Sequence, residues 1–228
     1  MNLQKDTNNS TIHKKSNIPF GAHYYAAADA VQTFDEASKE LLRKAIHLSI
    51  AFTPTLAAYS KSGTVIFLTL GVLFYICLES LRLKGLKIPF FSSIARSAAR
   101  PRDGNNFVMG PVTLGCGALI ALILYPAIAS TIAIYALAFG DGLASVVGRI
   151  FGRARPAFLC GKSMEGSAMC FTSVFAAALF ASHNAYISLV TAIATTIVEA
   201  LPLKDYDNIA IPITAGLAVE LCQSLLNL

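Results

Sequence analysis

Residues 63–81 read GTVIFLTLGVLFYICLESL, with Glu79 the only charged side chain in the run. A helix needs roughly 20 such residues to cross the hydrocarbon of a bilayer. Inside lipid the backbone must satisfy its own hydrogen bonds, so the run is expected to be a helix. A lipid-facing barrel strand would alternate apolar and polar residues, and this stretch does not. Six further apolar runs fall at about 41–60, 107–125, 127–151, 164–182, 184–202 and 208–227. The expected fold is therefore an all-α integral membrane protein, a bundle of about seven transmembrane helices. Composition agrees: 55% of residues are hydrophobic, 14% are charged and mean hydropathy is +0.59, whereas soluble domains carry roughly a quarter charged residues.

Charge then orients the bundle. With the N-terminus cytoplasmic, the inner loops and flanks carry Lys39, Arg43, Lys44, Arg82, Lys84, Lys87, Arg96, Arg100, Arg102, Arg149, Arg153, Arg155, Lys162 and Lys204, and the outer loops carry Lys61 alone. This is a positive-inside pattern, and with an odd number of crossings it puts the C-terminus on the opposite side. Residues 1–38 read as a polar, flexible tail and 39–228 as the transmembrane catalytic domain. Met1 to Ser16 is polar with no apolar core following, so the first spanning helix is expected to do the targeting. The expected setting is a bacterial cytoplasmic membrane, with the site at its cytoplasmic face. The net charge of +5 suits anionic headgroups better than nucleic acid, because the cations lie between apolar helices. Five cysteines form no CxxC pair and no zinc spacing, so they read as free thiols.

The charged residues within or beside the helices point to chemistry. An aspartate at a helix centre costs about 3 kcal/mol on insertion, so Asp141 needs a partner or a function. Asp141, Ser145, Gly148 and Gly152 share one helical stripe that ends at Arg149 and Arg153. Such a stripe either admits a ligand to the backbone or packs helices closely. Lys162, Ser163, Glu165 and Ser167 gather an ammonium, two hydroxyls and a carboxylate at a helix start. That arrangement suits a phosphate, and equally an ordinary cap; it is not a Walker A loop. Glu199, Asp207 and Asn208 return to the same face, where Asp141, Glu199 and Asp207 could hold Mg²⁺; Asp205 and Asp207 also fit a solvated loop. His47, one turn inside the boundary, could orient a phosphate, shuttle a proton or bond a neighbouring helix. Glu79 is placed to pair with Arg82 or Lys84. His183 reads as a plain loop residue, and Glu220 stands apart from the cluster.

At these residues the chain resembles the polyprenol kinase family, which includes dolichol kinase, phytol kinase and the CTP-dependent diacylglycerol kinase. The resemblance rests on Arg43-Lys44-x-x-His47, on Gly140-Asp141-x-x-Ala144-x-x-x-Gly148-x-x-x-Gly152, on Lys162-Ser163-x-Glu165-Gly166-Ser167, and on Val198-Glu199 with Pro202, Asp207-Asn208 and Pro212. It spans roughly residues 40–225. It implies transfer of a γ-phosphoryl group, with CTP as the expected donor and Mg²⁺ or another divalent cation assisting, to a lipid alcohol such as a polyprenol, phytol or diacylglycerol. On that reading Lys162, Arg149 and Arg153, with Gly148, Gly152, Ser163 and Ser167, hold the phosphates. Asn208 contacts nucleotide or metal, and Asp141, Glu165, Glu199, Asp207 and His47 serve the chemistry. A cytidylyltransferase making a CDP-lipid would use the same cations. An ion-coupled transporter would place acidic groups along a path to both faces, and the opposite face here is nearly uncharged.

Overall fold

A computed structural model describes residues 42–86, 103 and 106–226. These belong to the compact unit Lys39–Leu228. The tail at 1–38 and the basic residues Lys87, Arg96, Arg100 and Arg102 lie outside the described residues. Within the described residues every regular element is helical. In chain order they are α1 (42–49), α2 (Thr53–Tyr59), α3 (Lys61–Leu83), α4 (Gly110–Leu124), α5 (Ala127–Tyr135), α6 (Gly142–Ile150), α7 (Met164–Ser182), α8 (Ala185–Ala200) and α9 (Asp207–Leu226).

Among the described residues four helices are long and apolar enough to cross a membrane: Lys61–Leu83, the continuous Ala127–Ile150, Met164–Ser182 and Asp207–Leu226. The other expected spans come out differently. The run at 107–125 yields a helix of 15 residues and that at 184–202 one of 16. At 1.5 Å per residue these are about 22–24 Å long, short of the roughly 30 Å hydrocarbon thickness. The run at 41–60 is interrupted by a 3₁₀ turn at Ile50–Phe52, with Pro54 in the first turn of the helix that follows. Proline there has no N–H to give and fixes the backbone for a new start.

Ala127–Ile150 is the axis of the bundle. Two thirds of its most apolar window is buried, against about a tenth for Lys61–Leu83. Ala129, Ile132, Ala133, Leu137 and Ala138 are completely enclosed. Between α5 and α6 the helix widens into a π turn, Ala136–Asp141. Insertions of this kind recur at functional sites. Small residues set how closely the neighbours approach. A Cβ on Gly117 would collide with the Asn208 carbonyl, and one on Gly216 with the Tyr125 ring. Tyr125 then donates its hydroxyl to the Ile213 carbonyl (2.7 Å), tying the end of α4 to α9. Between membrane helices, such close contact replaces the hydrophobic drive that water would supply.

The turns follow local chemistry. Asn184 caps α8 by accepting from the Tyr186 and Ile187 N–H groups (3.0 and 3.2 Å), and His183 closes α7 in the left-handed conformation. Lys61, the lone cation expected on the outer side, donates to the Tyr125 carbonyl (3.4 Å), just past the end of α4. All five cysteines are free thiols.

Candidate active site

Asp141 closes the π turn and is buried together with Lys44 and His47, each at most 7% exposed. The Lys44 ammonium lies 3.9 Å and His47 Nε2 lies 3.4 Å from Asp141 Oδ2. His47 Nε2 is also 2.8 Å from the Leu137 carbonyl within the π turn. A carbonyl only accepts, so Nε2 carries the hydrogen. Gly142 makes this possible, since a Cβ there would press on Leu48 and on the His47 ring (3.3 and 3.4 Å). The buried aspartate thus has the partners its insertion cost demands.

Lys44 and His47 of this cluster line a cleft, open to solvent in part, whose walls also include Arg43 from α1 and Asp103, Asp205 and Asn208. Val108, Pro111 and Leu114 supply an apolar wall at the start of α4. That wall is anchored from α3. Glu79, wholly buried, takes two 2.8 Å bonds from Arg82 and one of 2.9 Å from the Val108 N–H. Tyr75 donates to the Val108 carbonyl (3.1 Å), and Arg82 also reaches the Asn106 carbonyl (3.0 Å). The expected Glu79–Arg82 pair is therefore present, and it holds a wall of the cleft.

A second couple lies on the other side of the π turn. Lys162 donates to a carboxylate oxygen of Glu199 (2.7 Å) and to the Glu199 backbone carbonyl, while Ser167 approaches the second carboxylate oxygen (3.5 Å). A Cβ on Gly140 in the π turn would meet Val174 at 2.9 Å, the Cys170 sulfur at 3.5 Å and Thr195 at 4.0 Å, so this side of the turn packs on α7 and α8, whereas Gly142 faces α1. The two ionic groups therefore flank one stretch of the central helix.

The helix start at α7 is engaged within the protein. Met164 N–H bonds the Ala154 carbonyl (2.9 Å), and Gly166 N–H bonds the capping Ser163 hydroxyl (3.1 Å). Glu165 accepts from the Arg153 and Ala154 N–H groups (3.0 and 3.3 Å), fastening the loop. Of the two readings of this helix start, the structure displays the cap. The glycine stripe has likewise been taken up by packing. A Cβ on Gly148 would meet Ser163 Oγ at 2.9 Å, one on Gly152 the same atom at 2.6 Å, and one on Gly166 the Ala144 carbonyl at 2.8 Å. Space that could admit a ligand is filled by α7. Arg149 and Arg153 are exposed at the rim. Arg155 donates to the Gly161 and Gly148 carbonyls (2.7 and 3.0 Å) and so braces the loop.

Asp207 and Asn208 open α9 and are both buried. Asp207 accepts from the Asn208 N–H (2.9 Å), and the Asn208 amide nitrogen reaches Thr113 Oγ1 (2.9 Å) and the Gly110 carbonyl (3.4 Å). Among the described residues no three His, Cys, Asp or Glu side chains group as metal ligands. Asp141, Glu199 and Asp207, the residues named from sequence as able to hold Mg²⁺, are thus not drawn together as such a group among the described residues. Sequence reasoning passed over Asp103 and left Asp205 as a solvated loop residue; nothing in their local pattern signals the cleft they border.

The chain is 27% identical over 217 residues to a probable phytol kinase of the chloroplast from Triticum aestivum, covering 86% of this chain and 71% of the relative. It is 28% identical over 224 residues to its counterpart from Zea mays, covering 86% and 73%. It is 30% identical over 200 residues to the chloroplast farnesol kinase of Arabidopsis thaliana, covering 79% of this chain and 64% of that one. No family model matches the chain, and no solved structure matches it. These relatives are plant chloroplast proteins, which gives no support to the expected bacterial membrane. The relatives that this chain is similar to, at 27–30% identity over most of its length, are thus named phytol kinase and farnesol kinase.

Proposed function

We propose that this protein is a membrane-embedded lipid-alcohol kinase that transfers the γ-phosphoryl group of CTP to an isoprenoid alcohol of the phytol or farnesol kind. The observation that carries the reading is the buried Lys44–Asp141–His47 cluster beside a cleft with one cationic and one apolar wall. The names of the relatives support the acceptor class, and the resemblance to the wider family suggests CTP. The positive-inside pattern supports a cytoplasmic-type face for the cleft and seven crossings, two of them by short helices.

Phosphoryl transfer asks chiefly for positioning and charge neutralisation. Arg43 and Lys44 would neutralise the triphosphate. The alcohol oxygen bonds to the γ-phosphorus as the bond from that phosphorus to the β-bridging oxygen breaks, leaving CDP. The hydroxyl proton passes to Asp141, with His47 as its relay. Mg²⁺ carried by a triphosphate needs only one or two carboxylates from the protein. Asp103 and Asp205 border the cleft and could supply them, the ion adding neutralisation of the phosphate charge. The Lys162–Glu199 couple would support the central helix from its other side.

The test uses purified protein in micelles with phytol or farnesol and CTP labelled on either the γ-phosphate or the cytosine. Label from the γ-phosphate in the lipid, abolished by EDTA, is expected. Cytosine label in the lipid would instead mean a cytidylyltransferase.

A further inference from the structure

Among the described residues the side-chain oxygen of Asn208 has no hydrogen-bond partner, although the residue is only 3% exposed. The amide orientation is fixed by its surroundings. The Thr113 hydroxyl lies 3.0 Å from the Gly110 carbonyl and 3.3 Å from that of Met109, and it can only donate to them. Its lone pairs are left for the Asn208 N–H. Flipping the amide would set its oxygen against the Gly110 carbonyl. Pro212, four residues on, lacks the N–H that would bond the Asn208 backbone carbonyl and so loosens the helix there. Oδ1 is therefore a held acceptor, and a buried acceptor with no donor is costly unless a ligand supplies one.

Asn208 lines the cleft, and the place of the residue there says which donor. Asn208 is bonded to α4, whose Pro111 and Leu114 form the apolar wall with Val108, while the cations come from α1. A ligand with an apolar chain and a terminal O–H fits that side; a phosphate, an acceptor only, fits the cations. We infer that Asn208 Oδ1 receives the hydroxyl hydrogen of the lipid alcohol, making Asn208 a specificity residue for the free alcohol against its ethers and its phosphorylated product. The inference rests on the kinase reading for the identity of the ligand. An amide oxygen is too weak a base to keep the proton, so the bond holds the alcohol before reaction and gives way as the proton moves to Asp141. After transfer the same oxygen bears a phosphoryl group and no hydrogen. Two acceptors then face each other, which favours release.

The test measures equilibrium binding of phytol and of phytyl methyl ether to the full chain in micelles, without nucleotide. Wild type should prefer the alcohol roughly fivefold to tenfold, the worth of one hydrogen bond. Asn208→Ala should bind both ligands alike. Thr113→Val, which removes the internal partner and keeps Oδ1, should retain most of the preference. Should Asn208→Ala not fold, Asn208→Leu, which keeps the volume and has no acceptor, should likewise bind both ligands alike. No preference in wild type, an unchanged preference in Asn208→Ala or Asn208→Leu, or its loss in Thr113→Val would overturn the assignment. Failure of the kinase reading looks different: the binding preference persists while no label reaches phytol.

Discussion

Asp141 is legible in sequence because a carboxylate in an apolar helix must be compensated, and the structure compensates it with Lys44 and His47. The partners were harder to read. His47 is 90 residues away from the carbonyl it bonds, and no local spacing announces such a contact. In sequence Lys44 reads as an inner-rim cation and as part of the Arg43-Lys44-x-x-His47 motif, with no partner assigned to it. Its burial gives a direct test. Lys44→Met should raise the KM for CTP about tenfold or more and lower kcat, since a charge-assisted contact to phosphate is worth about 1.5–3 kcal/mol. Steady-state kinetics at saturating phytol read this. The Lys162–Glu199 couple should behave otherwise. Glu199→Gln weakens a 2.7 Å ion pair in which Lys162 keeps 30% of its side-chain exposure. The expected cost is about 1–3 kcal/mol in thermal stability, with a smaller loss of turnover than at Asp141.

At the scale of elements, the long apolar runs were the most readable part. The helices Lys61–Leu83, Met164–Ser182 and Asp207–Leu226 fall within two residues of the expected bounds. The π turn and the 3₁₀ break in the first run could not be seen, because both depend on what the neighbouring helices require. The stripe of Gly148 and Gly152 was ambiguous for a physical reason: small residues look the same in sequence whether a ligand or another helix fills the space. Here α7 fills it. Gly166→Val should therefore separate α6 from α7, and detergent-solubilised protein should lose its cooperative melting transition. The Glu79 clamp makes a second prediction at this scale. Glu79→Ala strands Arg82 and the Val108 N–H beside a fully buried site, costing about 3–5 kcal/mol. Because Val108 borders the cleft, the KM for alcohol should rise in the protein that still folds.

For the whole molecule, the distribution of charge makes the clearest statement. Nearly every cation was assigned to one face from sequence alone, and Lys61, the exception, donates to the carbonyl of Tyr125 just past the end of α4. Single cysteines at Lys61 and Arg153 in a cysteine-free background should react with a membrane-impermeant maleimide from opposite sides of sealed vesicles. Labelling from the same side would remove the proposed topology. What joins the scales, on the function proposed above, is a buried charge cluster at the central helix that would serve a lipid hydroxyl at one membrane face. The measurement closest to that claim is transfer of γ-label from CTP to phytol by wild type and Asp141→Asn, both checked for a cooperative melt. The account predicts a fall in kcat on the order of 100-fold or more; wild-type turnover in a folded Asp141→Asn protein would contradict it.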